Sequence, residues 1–346
     1  MTKQAAGGLS VLVVGSRGYI GPVVCRSLRE AGAQVLEVDA GWFSSVENTP
    51  TSRLADIRSV ALDVFDAVPD AIIFLAAVSN DPMGLHHEEA TFSINVDAAV
   101  QIAEQARELG VAKFIYASSC SIYGKTGDRA VREGDPLEPL TAYARSKVDA
   151  ENALHALASE SFQVSCLRLA TACGSSPNIR LDLVLNDFVA SALHENRIEL
   201  LSDGTPWRPL INVEDIARAF VWAAYTDLSH DFLAVNVGSE AFTYRIRDLA
   251  ESVAQMIPGT EVAVSSSPST DNRSYTVDFS LFRELAPFAQ PQFDLHSTVE
   301  QLSAQIASLD VGVDGFRSNP AFIRLLGLAE LLQGRQYDDL LMPVNR

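Results

Sequence analysis

Residues 9–21 limit the possible folds more than any other stretch. The apolar run Leu9-Ser10-Val11-Leu12-Val13-Val14 passes directly into Gly15-Ser16-Arg17-Gly18-Tyr19-Ile20-Gly21, and helical spacing begins at once. A buried strand that becomes a helix through three glycines has few architectures open to it. The turn is tight, which glycine permits. The first N–H groups of the helix lack partners within it and can face a ligand above the strand. A pyrophosphate is the group such a turn suits. Three glycines alone are weak evidence; their position between strand and helix carries the information.

The alternation continues. The pattern predicts strands over 9–14, 34–38, 60–62, 71–75, 111–117 and 162–169, with helices over 19–31, 88–109 and 142–157. Apolar strands separated by helices imply a parallel sheet covered on both faces. The expected fold class is α/β, a Rossmann-type doubly wound sheet with a smaller mixed α/β domain. After residue 170 turn residues cluster at Gly174-Ser175-Ser176-Pro177-Asn178 and Ser202-Asp203-Gly204-Thr205-Pro206. Residues 1–170 are expected to form the dinucleotide domain. A helix over 213–225 and a strand over 233–237, within 211–240, return to its sheet. Residues 171–210 and 241–346 form the substrate domain, and the Ser-rich stretch 265–269 reads as an exposed loop.

The 346 residues are 47% hydrophobic and 20% charged, a globular composition with a sizeable core. The net charge of −18 repels phosphodiester backbones, so nucleic acid is excluded as a general partner. A small anion is still permitted where arginines converge. No apolar run reaches the ~18–20 residues of a membrane helix. The first residues show no signal-peptide order, so a cytoplasmic protein without a secretory leader is expected. Cys25, Cys120, Cys166 and Cys173 fit neither a zinc site nor a disulfide framework. Reduced thiols and no metal are expected.

Three groups of residues carry chemistry. The second strand ends in Val38-Asp39, and an acid there can accept hydrogen bonds from adenosine ribose hydroxyls. Asp39 repels a 2′-phosphate and favours NAD over NADP, although Arg17 could offset that repulsion. Tyr143 and Lys147 stand at i and i+4, on one helix face. A phenol near pKa 10 is a poor base at neutral pH, and lowering it by about 3 units takes roughly 4 kcal/mol. A neighbouring ammonium and an oxidised nicotinamide favour the phenolate. The strand 111–117 runs into Ser118-Ser119-Cys120-Ser121, where open α/β sheets bind ligands. Ser119 can hydrogen-bond a substrate oxygen beside Tyr143.

Taken together, these residues resemble an extended short-chain dehydrogenase/reductase of the nucleotide-sugar epimerase/dehydratase type. The resemblance runs from Val11 to about Gln301. It includes Leu75-Ala76-Ala77, Asn95-Val96, Arg180-Leu181-Asp182, Trp207-Arg208-Pro209-Leu210-Ile211-Asn212-Val213-Glu214-Asp215 and Asn236-Val237-Gly238. It implies catalysis by Ser119, Tyr143 and Lys147. It implies NAD contacts from Gly15, Arg17, Gly18, Tyr19, Ile20, Gly21, Asp39, Asp63, Val64, Leu75, Ala76, Ala77, Asn95, Ser118, Tyr143 and Lys147, with Asp63 and Val64 near the adenine. Substrate contacts are implied for Ser79, Ser119, Cys120, Ser121, Thr171, Asn186, Arg208 and Arg273. Of these, Asn186, Arg208 and Arg273 are expected to hold a nucleotide diphosphate, for which guanidinium forks are suited. Similar enzymes pair through helices matching 88–109 and 142–157, so a homodimer is expected.

The departures narrow the chemistry. Dehydratases of the family carry Asp and Glu after the catalytic hydroxyl, where this chain has Cys120 and Ser121. Neither is a good general acid or base at neutral pH, and the decarboxylases' acid is missing too. Asn212 replaces an expected His and Cys173 an expected Tyr. The resulting expectation is an NAD-dependent nucleotide-sugar 4-epimerase. The alternatives are an NADH- or NADPH-dependent 4-ketoreductase and a dinucleotide-binding regulator without catalysis.

Overall fold

The computed structural model describes residues 8–43, 50–65, 67–126, 129–265 and 273–344. The first half alternates: β1 (Ser10–Val14), α1 (Gly21–Glu30), β2 (Gln34–Asp39), β3 (Ser52–Leu54), β4 (Ala71–Phe74), α2 (Asp81–His86), α3 (Glu88–Phe92), α4 (Ala98–Glu108), β5 (Lys113–Ser119), α5 (Ala142–Leu157) and β6 (Gln163–Leu169). Then follow β7 (Thr171–Cys173), α6 (Val184–Glu195), β8 (Arg197–Leu200), β9 (Trp207–Asn212), α7 (Val213–Tyr225) and β10 (Phe232–Val237). The chain ends with β11 (Thr243–Arg245), α8 (Ile246–Met256), β12 (Glu261–Val264), α9 (Ser280–Leu285), α10 (Leu295–Ile306) and α11 (Arg324–Gln333).

Seven strands form one parallel sheet in the order β10-β6-β5-β4-β1-β2-β3. Alternate residues of β1 feed opposite faces, as the strand period requires. Val11 and Val13 pack with Val24 and Leu28 of α1 and Phe220 of α7. Leu12 and Val14 pack with Ile102 of α4 and Leu154 of α5. The sheet is therefore doubly wound, and its order reverses between β1 and β4. Ligands of open α/β sheets bind beyond the strand ends at such a point. A second core, with Leu185, Val189, Leu249 and Leu302, lies under the small sheets β11-β9-β7 and β12-β8.

Two local expectations fail. Residues 60–62 are not a strand: Val60 and Leu62 are buried, but Val60 lies between turns of 3-10 helix at Ile57–Ser59 and Leu62–Val64, and Leu62 opens the second. The third strand is Ser52–Leu54, a short and largely exposed edge that carries no apolar run to betray it. The helix expected over 88–109 is interrupted by a π-helical turn at Ser93–Asp97. Most of the Ser-rich loop expected at 265–269 lies outside the described residues. No described helix is long and apolar enough to cross a membrane.

Candidate active site

A cleft of about 1000 Å³ runs along the carboxyl ends of β1, β2, β4 and β5 and into the second lobe. The glycine loop forms its floor. Gly15 has φ +85°, and a Cβ there would lie 2.5 Å from the Ala76 amide nitrogen. At Gly21 a Cβ would come within 2.4 Å of the Gly15 carbonyl oxygen. Both positions exclude any side chain, which keeps the start of α1 against β4. No side chain caps that helix start. Gly18 and Ile20 line the cleft, and so does Arg17.

Asp39 ends β2 and locks the loop. Its Oδ2 accepts from the Arg17 N–H at 2.9 Å and its Oδ1 from the Gly41 N–H at 2.7 Å. Burial pushes the carboxyl above its ordinary value, and these two N–H groups work against that shift. Tyr19 also lines the cleft, but its phenol is committed below: it donates to the Gly174 carbonyl at 2.6 Å. Tyr19 therefore ties the glycine loop to the second lobe.

Asp63, expected with Val64 near an adenine, is not among the residues that line the cleft. Ala55, Asp56 and Ile57, directly after β3, line the cleft. Asp63 is exposed, and it shares with Val64 a turn further along the chain. The misplaced third strand produced the error. Asp56-Ile57 is the acid–apolar pair that follows the real strand. Leu75, Ala76 and Ala77 line the cleft as expected from their position after β4. Asn95 does not reach it. Its amide accepts from the Val78 N–H at 2.8 Å and donates to the Val78 carbonyl and Ser146, so it pins the loop after β4 from within the core.

Tyr143 and Lys147 project from the first turns of α5, whose start is capped by Thr141, accepting from the Ala144 N–H at 3.1 Å. The Lys147 Nζ lies 5.6 Å from the centre of the Tyr143 ring and donates to the Ala117 carbonyl at 2.7 Å and the Tyr116 hydroxyl at 3.2 Å. Burial pulls the ammonium down to about 7, while Glu151 pushes it upward. Burial pushes the Tyr143 phenol up to about 12; its hydrogen bond with Ser119 and the charge of Arg180 pull it back. The expected phenolate near neutral pH is thus not supplied by Lys147 alone, because burial raises the phenol and lowers the ammonium together.

The hydroxyls at the end of β5 and just beyond it all reach the cleft: Ser118, Ser119 and Ser121 line it. The Ser118 hydroxyl itself donates to Glu151, which is paired with Arg168 at 2.7 Å. The Ser121 hydroxyl is buried with no partner among the described residues. Cys120 is a further correction: its thiol points into the core and meets the Arg168 carbonyl at 3.1 Å, because the 3-10 turn Cys120–Tyr123 rotates it away. Burial pushes that thiol up, so it is inert as an acid or base here.

Arg208, Arg273 and Thr171 line the second-lobe side, and Ser79, on the loop after β4, also lines the cleft. Arg208 donates to the Arg273 carbonyl and stacks 5.5 Å from the Tyr275 ring; Arg273 pairs with Asp81. Asn186 is not in the cleft. Its amide is consumed by the Gly174 N–H, the Arg180 carbonyl and the Tyr19 hydroxyl. The departures at 212 and 173 are structural: Asn212 caps α7 and reaches Thr298 of α10, while Cys173 is buried beside the Ile211 carbonyl.

Sequence reasoning missed Arg180 as a site residue. It is 5% exposed, forked onto Asp182 at 2.9 and 3.0 Å, and donates to Ser79 at 2.9 Å on the cleft wall. No periodicity marks it; only its arginine–aspartate spacing hinted at a buried pair. Trp42, Phe43 and Arg324 also line the cleft and carried no signal. Arg180, Arg208, Arg273 and Arg324 all line the cleft, Arg180 and Arg273 there in ion pairs with Asp182 and Asp81.

Residues 11–238 match the model of the NAD dependent epimerase/dehydratase family. The chain is similar to UDP-glucose 4-epimerase of Mycolicibacterium smegmatis, with 27% identity over 304 residues, covering 83% of this chain and 95% of that protein. A UDP-glucose 4-epimerase of Lacticaseibacillus casei is 24% identical over 282 residues, 75% of this chain and 85% of that one. Among solved structures, MoeE5 in complex with UDP-glucuronic acid and NAD superposes with a TM-score of 0.77 at 25% identity, covering 87% of this chain and all of the other.

Proposed function

The chain belongs to the NAD dependent epimerase/dehydratase family, and from that premise we propose that it is a nucleotide-sugar 4-epimerase with Tyr143 as the proton-transfer group. The enzyme uses NAD, and the glycine floor, Asp39 and the unfilled start of α1 suit its adenosine diphosphate. When bound, NAD supplies hydride acceptance and return at a sugar carbon.

Tyr143 takes the proton of the C4 hydroxyl and later gives it back. Ser119, in the same cleft as the phenol, donates to the C4 oxygen and holds it in line. Lys147 and Arg180 place positive charge beside Tyr143, which favours the phenolate. Arg208 and Arg273 offer the donors that a diphosphate needs. Ser121 presents a buried hydroxyl without a partner, suited to a sugar hydroxyl.

The observation that carries this reading is that Ser119 and Tyr143 line one cleft, with Ser119 pulling the phenol's pKa down, while the next two positions hold a core-facing thiol and a hydroxyl. That arrangement can move a proton at one oxygen but offers no acid–base pair there for eliminating water. The test incubates the purified protein with UDP-, dTDP-, GDP-, CDP- and ADP-sugars and follows inversion at C4 by NMR. Inversion without added cofactor is expected, with Tyr143→Phe slower by about 10²–10⁴-fold while nucleotide-sugar binding persists. Turnover unchanged in Tyr143→Phe would remove the assignment. Stoichiometric loss of reduced-cofactor absorbance with a keto-sugar, and no inversion, would make the enzyme a 4-ketoreductase instead. Pairing of two copies through α4 and α5 is proposed alongside; light scattering that finds only monomer would refute it.

A further inference from the structure

After α10 the chain leaves the second lobe and returns to the first. Leu328 of α11 and Leu341 beyond it are buried in one apolar cluster with Val78, Met83 and Ile94. The Leu340 and Leu341 carbonyls each accept from the Arg58 guanidinium at 2.6 Å, and Arg58 is held in turn by Asp56 on the cleft wall. Trp42, on the loop after Asp39, meets Tyr337 edge-on with ring centroids 5.7 Å apart. The start of α11 therefore closes the adenosine end of the cleft beside Asp39.

Two donors stand in that corner. Arg324 is 3% exposed, its guanidinium lies 4.4 Å over the Phe43 ring, and one of its N–H groups reaches the Asn178 carbonyl at 3.2 Å. A guanidinium carries five N–H donors, and Arg324 lines the cleft where the charges of Asp39 and Asp182 act on it. The Trp42 indole N–H is buried with no acceptor among the described residues, and Trp42 lines the same corner. Buried donors are seldom left so.

We propose that Arg324 and Trp42 bind the adenosine half of NAD, which makes the C-terminal segment part of the cofactor site. Ribose hydroxyls both donate and accept. Asp39 accepts hydrogen bonds from them, and the two donors meet their oxygens. This rests on NAD being the cofactor. Arg324 lies beyond residues 11–238, which the family model matches, whereas Trp42 lies within them.

The test compares NAD, ADP-ribose and nicotinamide mononucleotide, which lacks the adenosine, by calorimetry on the full chain. Arg324→Ala and Trp42→Phe, the latter keeping the ring contact with Tyr337, are each expected to weaken NAD and ADP-ribose by about tenfold or more. Nicotinamide mononucleotide affinity should stay within about twofold of wild type, and NAD should leave both variants faster. ADP-ribose binding unchanged in both variants, or an equal loss for nicotinamide mononucleotide, overturns the proposal. Should Arg324→Ala fail to fold, Trp42→Phe decides alone. A wild-type chain that binds neither NAD nor ADP-ribose would instead overturn the cofactor reading, and this proposal with it.

Discussion

Lys147 is 2% exposed, and burial holds its ammonium at about 7 against an ordinary 10.5. Between those values the unfolded chain carries a proton that the native chain lacks. Stability therefore rises with pH from about 7 to about 10, and the full cost is present below that window. At 1.36 kcal/mol per unit, the shift amounts to about 5 kcal/mol. Lys147→Met removes the charge and keeps the length. It leaves the Ala117 carbonyl and the Tyr116 hydroxyl without the donor they have at 2.7 and 3.2 Å, at about 1–3 kcal/mol. The Met variant is therefore expected to be more stable than wild type by about 2–4 kcal/mol at pH 6. The advantage should vanish near pH 9.5, where the remaining cost of the lysine is only about 1–2 kcal/mol. Under the proposed function the same variant should also lose turnover, since the charge beside Tyr143 is gone. Urea unfolding of the cofactor-free proteins at pH 6, 7.5 and 9.5 measures the difference. A Met variant less stable than wild type at pH 6, or a difference that ignores pH, would show that the lysine is not a buried charge.

Other substitutions test other parts of the site. In Gly15→Ala the positive φ alone costs about 1–3 kcal/mol, and the new methyl meets the Ala76 backbone at 2.5 Å. Both the urea midpoint and NAD affinity should fall, and wild-type values for both would refute the close-approach argument. Glu151 and Arg168 are 4% and 5% exposed and share several hydrogen bonds between 2.7 and 3.2 Å. Glu151→Ala leaves a buried guanidinium unpaired, for which a loss of about 3–5 kcal/mol is expected. A loss under about 1 kcal/mol in denaturant unfolding would mean that water reaches Arg168.

Local physics made much of this site readable before any fold was known. The glycine loop is legible because its requirement is steric and confined to seven consecutive residues. Tyr143 and Lys147 are legible because helical spacing fixes their common face. Other residues were legible in type but not in direction. Cys120, Asn95 and Asn186 sit within the expected segments, yet each spends its polar atoms in the core. One turn of 3-10 helix decides which of Ser119, Cys120 and Ser121 face the cleft, and propensity does not resolve a single turn. The third strand failed because an edge strand with an exposed face has no apolar pattern to detect.

The order of strands and helices, the glycine turn, the acid at the end of β2 and the Tyr143–Lys147 pair follow from the sequence, since each depends on residues a few positions apart. The charge state of Lys147 and Tyr143, the placement of Arg180 against Ser79, and the closure of the adenosine end by Arg324 belong to the tertiary structure. These rest on burial and on contacts between residues far apart in the chain, 30 positions for Lys147 and Ala117 and 101 for Arg180 and Ser79. A sequence specifies such contacts only through the whole packing, because burial and distance, which set the energy of a charge, exist only once the chain has folded.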